Sequence, residues 1–259
     1  MRVLVCEDNV INQKVTVRLL QQLGYHPDLA GNGQEALARL DAQAYDLIFM
    51  DVLMPELDGL EATREIRRRQ QDPARHPNFG SRIVIVAMTA TAQPGDREKC
   101  IAAGMDDYLS KPVRLENVRI VIERRGGSPA ANGAAESPTA TPVDLARLRE
   151  LTDGTEAGLG ELVDFFLEQT TLQIEQLVGA VRDGQADRVR SIAHSCAGAS
   201  ATCGVRELVP LLRALEQLGL EQKLASADAA CAAVMSEFAR VRVFLAPYSR
   251  PAAEGTTGG

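Results

Sequence analysis

The sequence predicts two domains of different class: an α/β domain with a doubly wound parallel sheet, followed by an all-α domain built as an antiparallel helical bundle. Its 259 residues are enough for about two domains of ~100–150 residues each. Short apolar runs alternate with amphipathic stretches before residue 125, and only amphipathic stretches follow residue 143. Between them, residues 126–142 (GGSPAANGAAESPTATP) have no apolar periodicity and predict a flexible linker.

Five apolar runs in residues 1–125 are typical of buried parallel strands. They are VLVC at 3–6, a weaker run at 26–30, DLIFM at 46–50, RIVIVAM at 82–88 and DYLS at 107–110. Helical spacing follows each run, over 12–23, 34–42, 60–69, 96–103 and 115–124. Several of these stretches end at a glycine, such as Gly24 or Gly104. Five successive βα units predict a doubly wound sheet.

The second domain is predicted over residues 143–246. Its helical stretches cover 144–151, 156–183, 185–202, 206–218 and 225–246. Short polar or glycine-containing joints separate them, as neighbouring antiparallel helices require. The remaining residues, 247–259, contain too little apolar surface to offset the entropy cost of ordering, so they predict a disordered tail.

Composition excludes several classes of protein. A formal net charge of -7 counts against a nucleic-acid surface, which needs clustered Lys and Arg. Five scattered cysteines without a CxxC pair, and three histidines, argue against a disulfide framework or a structural zinc site. The chain has no apolar run of ~20 residues and no leader segment, so we expect a cytoplasmic protein without membrane insertion.

Polar side chains stand directly after four of the five apolar runs: Glu7 and Asp8, Asp51, Thr89, and Lys111. Ligands of parallel sheets bind at the carboxyl ends of the strands, and in a sheet ordered 2-1-3-4-5 these four strands are neighbours. Three adjacent carboxylates favour a cation among them, and an all-oxygen ligand set suits Mg²⁺. A carboxylate beside Mg²⁺, with a lysine and a hydroxyl nearby, can accept a phosphoryl group. The alternative is that each acid only caps the helix that follows it.

Four sequence blocks resemble the signatures of response regulator receiver domains, over roughly residues 1–125. They are CEDNVINQ at 6–13, FMDVLMPELDGLE at 49–61, AMTA at 87–90 and MDDYLSKP at 105–112. The form EDNxxNQ resembles receivers attached to hybrid sensor histidine kinases. This resemblance implies a flavodoxin-like fold, and the strand order used above is partly taken from it.

The resemblance also implies a metal site and a phosphoacceptor. Carried over residue by residue, it makes Asp51 the phosphoacceptor, and Asp8 and Asp51 direct ligands of Mg²⁺. Glu7 would act on the metal through water, and the backbone carbonyl of Leu53 would supply a further ligand.

Three other residues gain roles from the same resemblance. Thr89 and Lys111 would contact the phosphoryl group, and the bond from Lys111 to Pro112 would be cis. Tyr108 would be an aromatic switch that turns inward when Thr89 is drawn toward the phosphoryl group. Simple packing at the sheet edge is the alternative for Tyr108.

His194 is the one histidine of the second domain. Helical spacing places it on an exposed outer stripe of the stretch 185–202. That stripe is predicted to contain Asp187, Arg190, Ser191, His194, Ala197, Gly198 and Ala201, with Val189, Ile192, Ala193, Cys196, Ala199 and Cys203 facing the core. A glycine inside a helix costs about 1 kcal/mol relative to alanine, so we expect Gly198 to leave room for a partner at the imidazole. An exposed imidazole can accept a phosphoryl group and pass it on, although most exposed histidines are ordinary surface residues.

The segment AHSCAGASATCGVREL at 193–208 resembles the motif of histidine-containing phosphotransfer (HPt) domains, and the similarity extends over about residues 143–246. It implies that His194 is a phosphoacceptor, with Gly198 at the small position and Gly204 closing the helix. The chain departs from the motif at Ala197, where the family usually places a lysine that neutralises the phosphoryl group. Arg190, one turn before His194, is a candidate for the missing charge, with an ordinary solvated arginine as the alternative.

The motif also differs just before Ala197. Ser195 and Cys196 stand where the family usually has a variable residue followed by a leucine. Cys196 is expected to face the core as a small apolar side chain. Transfer through His194 is then expected to be slower, or to depend more on the charges of the partner.

The leading hypothesis is a phosphorelay protein that resembles the C-terminal part of a hybrid sensor histidine kinase. Asp51 would accept a phosphoryl group from a sensor histidine kinase, and His194 would relay one to or from the aspartate of a downstream response regulator receiver domain. The chain would assist its own Mg²⁺-dependent phosphorylation without an ATP-binding kinase core, and neither nucleic acid nor a membrane is an expected partner.

Two alternatives stay open. The chain could be the detached end of a hybrid kinase that autophosphorylates with ATP, although no segment resembles a glycine-rich nucleotide lid or a kinase dimerisation helix pair. It could also be a docking module with a catalytically silent bundle, regulated by phosphorylation of Asp51, as Ala197 suggests.

Overall fold

A computed structural model describes residues 1–80, 83–89, 94–124, 141–152 and 154–249. The chain divides into two compact units, Met1–Pro138 and Thr139–Gly259. Most of the predicted linker, residues 126–140, and most of the predicted tail, residues 250–259, lie outside the described residues. The boundaries proposed for the two domains therefore remain predictions.

The first unit is a five-stranded parallel sheet in the order β2-β1-β3-β4-β5, which confirms the predicted fold class. Its elements are β1 (Val3–Cys6), α1 (Val10–Gln22), β2 (Asp28–Ala30), α2 (Gly33–Ala42), β3 (Leu47–Asp51), α3 (Gly59–Gln70), β4 (Val84–Thr89), α4 (Pro94–Ala103), β5 (Asp107–Ser110) and α5 (Leu115–Arg124). Every residue of β1 and β3 is buried, as expected for central strands that helices cover on both faces.

Strand register brings the carboxyl ends of the central strands side by side. Cys6 at the end of β1 pairs with Met50 in β3, and Asp51 at the end of β3 pairs with Met88 in β4. Thr89 at the end of β4 pairs with Ser110 in β5. The residues that follow these strands therefore meet at one edge of the sheet.

The start of α3 lies against the end of β3. The side chain of Asp58 caps α3 by accepting a hydrogen bond from the backbone N–H of Glu61. A Cβ atom at Gly59 would overlap the carbonyl oxygen of Asp51 and would lie 3.0 Å from its carbonyl carbon. Only glycine fits at this position, and the close approach fixes the loop between β3 and α3 beside Asp51.

The second unit is helical, as predicted. It contains α6 (Leu145–Glu150), α7 (Glu156–Arg182), α8 (Ala186–Thr202), α9 (Leu208–Leu220) and α10 (Ala227–Leu245), with short 3-10 helices at Leu224–Ser226 and Ala246–Tyr248. Helix α8 packs against both α7 and α9, and α10 packs against the same two helices. The short joints between α7, α8 and α9 make these neighbours antiparallel.

Gly204 follows the end of α8 with a φ of 71°, a left-handed conformation that suits glycine. A Cβ atom there would lie 2.9 Å from the Cβ atom of Asp144, so the end of α8 is packed closely against the start of α6. Within the described residues, no helix combines the length and the apolar content that a membrane span requires.

Candidate functional site

Three carboxylates meet at the carboxyl edge of the sheet. Glu7 and Asp8 follow β1, Asp51 ends β3, and each offers an oxygen atom within 4.8 Å of the others. Glu7 is 1% exposed and Asp51 is 2% exposed, whereas Asp8 is partly exposed. The strand register explains this convergence, since the ends of β1 and β3 are neighbours. We refer to Glu7, Asp8 and Asp51 as the acidic cluster.

Lys111 lies inside the acidic cluster. Its Nζ atom is 2.6 Å from Asp51 Oδ2 and 2.6 Å from Glu7 Oε2, and its side chain is buried. Burial acts to lower the pKa of Lys111, but the charges of Asp51 and Glu7 outweigh it and raise that pKa above its ordinary value. The ammonium group therefore keeps its charge over the physiological pH range.

The backbone places Lys111 next to the end of β4. Its N–H donates to the carbonyl oxygen of Thr89 at 2.7 Å, and the bond between Lys111 and Pro112 is cis. The side chain of Thr89 is partly exposed at the same edge of the sheet. Thr89 ends β4 and Lys111 follows β5, so both residues lie on the same side of Asp51 along this edge of the sheet.

One ammonium group does not neutralise the acidic cluster. Burial raises the pKa of Asp51 well above its ordinary value; Lys111 opposes this rise, and the charges of Glu7 and Asp8 add to it. Burial and the charge of Glu7 likewise raise the pKa of Asp8 to about 7. With all three acids ionised, the cluster and Lys111 together carry a formal charge of −2.

The residues of the acidic cluster fit a divalent cation. Glu7 Oε2 is buried and has no aligned hydrogen-bond donor, although Lys111 Nζ forms an ion pair with it. Three carboxylates form an oxygen-only donor set, which hard cations such as Mg²⁺ prefer. Leu53 is close as well, because its N–H donates to Asp51 Oδ1 at 3.3 Å. The role of the Leu53 carbonyl as a ligand remains a prediction.

Tyr108 lies on the edge strand β5. Its ring is partly buried and packs against the core of the first unit, and the guanidinium carbon of Arg97 in α4 is 5.9 Å from the ring centroid. This contact is in the range of a cation–π interaction. Edge packing is therefore present, and the proposed role of Tyr108 as a switch remains a prediction.

The predicted exposure of His194 is wrong, because its side chain is only 12% exposed. Ala197 and Gly198, predicted on the same outer stripe, are buried. The prediction assumed one buried face, but α8 is covered by both α7 and α9. Helix α9 also approaches closely, since a Cβ atom at Gly219 would lie 2.7 Å from the carbonyl oxygen of Ala186.

Two residues of α9 hold the imidazole of His194. The Nδ1 atom of His194 is 2.7 Å from Glu216 Oε1 and 3.0 Å from Arg213 Nη1. Arg213 Nη1 also donates to Glu216 Oε2. An ionised Glu216 can only accept, so its contact of 2.7 Å requires a hydrogen atom on Nδ1, and the lone pair of the neutral ring then lies on Nε2. In this tautomer Arg213 Nη1, itself a donor, lies beside Nδ1 without a hydrogen bond to it.

Glu216 carries the negative charge of this group. Burial acts to raise the pKa of Glu216, but hydrogen bonds and charges from His194 and Arg213 outweigh it and lower that pKa. On α7, Gln173 Nε2 donates to Ser195 Oγ at 3.2 Å. Side chains from both neighbouring helices therefore reach the segment around His194.

The sequence interpretation missed Arg213 and Glu216 and named Arg190 as the candidate for a positive charge. The cation that the structure places beside His194 is Arg213. One signal was available, since Arg213 and Glu216 are the only charged residues in LVPLLRALEQLGL. Their spacing of three places them on one face of a helix whose other residues, apart from Gln217, are apolar.

Comparison with known families gives two matches. The family model of the response regulator receiver domain matches residues 3–123, and that of the Hpt domain matches residues 161–243. Asp51 lies within the first match and His194 within the second.

Two curated relatives show how the matches are arranged. Hybrid signal transduction histidine kinase K of Dictyostelium discoideum is 43% identical over 122 residues, which are 47% of this chain and 10% of that protein. Signal transduction histidine-protein kinase BarA of Escherichia coli K12 is 32% identical over 241 residues, which are 87% of this chain and 24% of that protein. The chain thus spans a quarter or less of each relative.

Two solved structures are also similar. The receiver domain of sensor histidine kinase PA1611 from Pseudomonas aeruginosa PAO1, with a magnesium ion coordinated in its active site cleft, is 42% identical and covers 49% of this chain and 98% of its own, with a TM-score of 0.43. The second is a co-crystal structure from Saccharomyces cerevisiae of Ypd1, a histidine phosphotransfer signaling protein, with the receiver domain of its downstream response regulator Ssk1. The match is 37% identical and covers 49% of this chain and 88% of the other, with a TM-score of 0.45. The two family matches show that this chain contains a response regulator receiver domain, at residues 3–123, followed by an Hpt domain, at residues 161–243.

Proposed function

We propose that this chain is a two-component phosphorelay protein. Asp51 accepts a phosphoryl group from the phosphohistidine of a sensor histidine kinase, and His194 relays a phosphoryl group to or from the aspartate of a downstream receiver domain. One observation carries the proposal. A single chain combines an acidic cluster that contains the ammonium group of Lys111 with a histidine, His194, whose ring is oriented by the carboxylate of Glu216.

In the receiver domain, one carboxylate oxygen of Asp51 attacks the phosphorus atom of the donor phosphohistidine. A P–O bond forms, the P–N bond breaks, and the donor imidazole keeps the electron pair of the broken bond. Lys111 Nζ already lies 2.6 Å from Asp51 Oδ2, so it can stabilise the oxygens of the incoming group. Thr89, at the end of the next strand, would donate a hydrogen bond to one of them.

The acidic cluster fits Mg²⁺ as the cofactor of this step. Glu7, Asp8 and Asp51 would hold the ion, with the Leu53 carbonyl as a further ligand. When bound, Mg²⁺ would offset negative charge on the transferring phosphoryl group.

In the Hpt domain, Nε2 of His194 is the nucleophile. Glu216 accepts the hydrogen of Nδ1 at 2.7 Å, which fixes the ring and stabilises the positive charge that develops when Nε2 attacks. Arg213 supplies a positive charge in the place of the lysine that position 197 lacks. Its side chain is 28% exposed, so Arg213 can remain paired with Glu216 and still face an anionic group at the surface.

Phosphotransfer from a phosphorylated donor kinase tests both acceptors in the full chain. The variant Asp51→Asn should lose a base-labile label, and His194→Gln should lose an acid-labile label. The exposed His26 provides the control, and His26→Gln should label like the unchanged protein. Phosphorus NMR should assign the histidine adduct to Nε2. If His194→Gln passes phosphoryl groups at the rate of the unchanged protein, the relay through the Hpt domain is wrong.

A second candidate function is a docking module in which His194 is not phosphorylated. Two observations favour it: position 197 carries alanine instead of lysine, and the side chain of His194 is 12% exposed. Partner binding that responds to phosphorylation of Asp51, but is unchanged by His194→Gln, would support this function against the relay.

A further inference from the structure

The first turn of α1 holds the carboxylate of Glu7 by one of its two oxygens. Asn12 Nδ2 donates to Glu7 Oε1 at 3.1 Å, and the backbone N–H of Asn9 donates to the same oxygen at 3.3 Å. Asn12 is 4% exposed, so this side-chain hydrogen bond is shielded from water. The other oxygen, Oε2, faces Lys111 and has no aligned hydrogen-bond donor.

Asn12 is not the cap of α1. The cap is Asn9, whose side chain accepts from the backbone N–H groups of Ile11 and Asn12. Asparagine inside a helix is less favourable than alanine, and a buried amide needs polar partners. A side-chain role for Asn12 toward Glu7 accounts for an asparagine at this buried position.

The neighbouring Gln13 makes a different contact. Its Nε2 atom donates to the backbone carbonyl oxygen of Glu7 at 2.6 Å. Gln13 therefore ties α1 to the end of β1 without contacting the carboxylate. The three amide residues of the EDNxxNQ motif thus divide their contacts: Asn9 caps the helix, Asn12 holds the Glu7 carboxylate, and Gln13 holds the Glu7 backbone.

We propose that Asn12 is a positioning residue for the metal site, because it engages Glu7 Oε1 and thereby directs Oε2 into the acidic cluster. This inference rests on the proposed function, since it takes Mg²⁺ as the ion that the cluster binds. A carboxylate held by one oxygen presents the other as a single ligand atom or as a fixed acceptor for a metal-bound water. A freely rotating carboxylate can present both oxygens, which suits the larger and more flexible coordination of Ca²⁺.

The test is metal binding to the full chain, measured by calorimetric titration of Mg²⁺ and separately of Ca²⁺. Asn12→Leu keeps the approximate size of the side chain and removes its donor. We expect it to weaken Mg²⁺ binding by about 10-fold, as loss of an outer contact to a ligand typically does, and to lower the ratio of Mg²⁺ to Ca²⁺ affinity. Phosphoryl acceptance by Asp51 should recover at saturating Mg²⁺.

Gln13→Leu is the matched control in the same helical turn. It removes a hydrogen bond to the backbone of Glu7 and leaves the contact to the carboxylate, so the affinity ratio should stay at its original value. The ratio does not depend on the folded fraction, so it remains informative if Asn12→Leu is less stable.

An unchanged affinity ratio in Asn12→Leu, or an equal change in Gln13→Leu, would overturn the role of Asn12 while leaving the proposed function intact. Failure of the unchanged protein to bind Mg²⁺ would overturn the metal site itself, and the role of Asn12 with it.

Discussion

Without a divalent cation, the receiver domain should lose stability as the pH rises from about 4 to about 7. The pKa of Asp8 is raised from 3.8 to about 7 in the folded protein, so the folded state holds this proton more tightly than the unfolded state. The stabilising effect is therefore fully present below pH 3.8 and disappears as the pH passes through about 7. Asp51 changes stability in the same direction, because its pKa is also raised.

The shift for Asp8 alone corresponds to about 4 kcal/mol, at about 1.4 kcal/mol for each unit of pKa. Lys111 does not add to this pH dependence, because its raised pKa keeps it charged throughout this range. A saturating divalent cation should remove most of the loss, since it offsets the charge that ionisation creates.

Hydrogen exchange of the full chain, read by mass spectrometry on peptides from β1 and β3, measures the opening free energy of the receiver domain. Exchange in a chelator at pH 5 and pH 8, corrected for the intrinsic pH dependence of exchange, should give weaker protection at pH 8. Asp8→Asn should lose most of this difference. Glu116→Gln, which removes an exposed acid of α5, should keep it.

Protection of β1 and β3 that is equal at both pH values in the chelator would contradict a raised pKa of Asp8 in the folded protein. So would a pH dependence in Asp8→Asn as large as that of the unchanged protein. Either result would mean that the acidic cluster is neutralised without a metal.

Three further outcomes follow from local geometry. Gly59→Ala should destabilise the receiver domain by about 1–3 kcal/mol and slow its phosphorylation. Gly80→Ala is the control and should change neither, because a Cβ atom at Gly80 has no other atom within 4 Å. Denaturation measures the stability of both variants, and labelling rates measure their phosphorylation. Glu216→Gln should slow labelling of His194 by about 10-fold, because the amide keeps a hydrogen-bond acceptor but loses the charge that supports the imidazolium; equal labelling rates would contradict this. The thiol of Cys196, whose pKa burial raises to about 12, should resist iodoacetamide at pH 8 until the Hpt domain unfolds; alkylation of the native protein would show that the site opens.

The receiver domain was predictable from sequence because its signals are local. A run such as LIFMD is buried along its whole length, and the polar residue that ends it marks the edge where ligands bind. The weak signal at 26–30 became a strand of only three residues, Asp28–Ala30. That strand lies at the edge of the sheet and pairs with β1 alone. Fewer of its side chains are buried, so the apolar pattern in its sequence is weaker.

The surroundings of His194 were not predictable in the same way. Glu216 and Arg213 lie 22 and 19 residues beyond His194 in the chain, and they reach it only because α9 folds back along α8. A helical wheel assigns one buried face to each helix, whereas α8 lies between two neighbours. The spacing of apolar residues does not reveal such a second contact face when the residues that form it are small, as Ala197 and Gly198 are.

The formal charge of the acidic cluster favours a divalent cation over a monovalent one. Its formal charge of −2 with Lys111 in place is brought to zero by a divalent ion, whereas Na⁺ or K⁺ leaves the pocket charged. Phosphorylation replaces one carboxylate charge of Asp51 with the two charges of a phosphoryl group, so the metal-bound pocket becomes negative again. A buried negative charge favours departure of the group that brought it. The charge balance that favours a divalent metal would therefore also limit the lifetime of a phosphoryl group on Asp51.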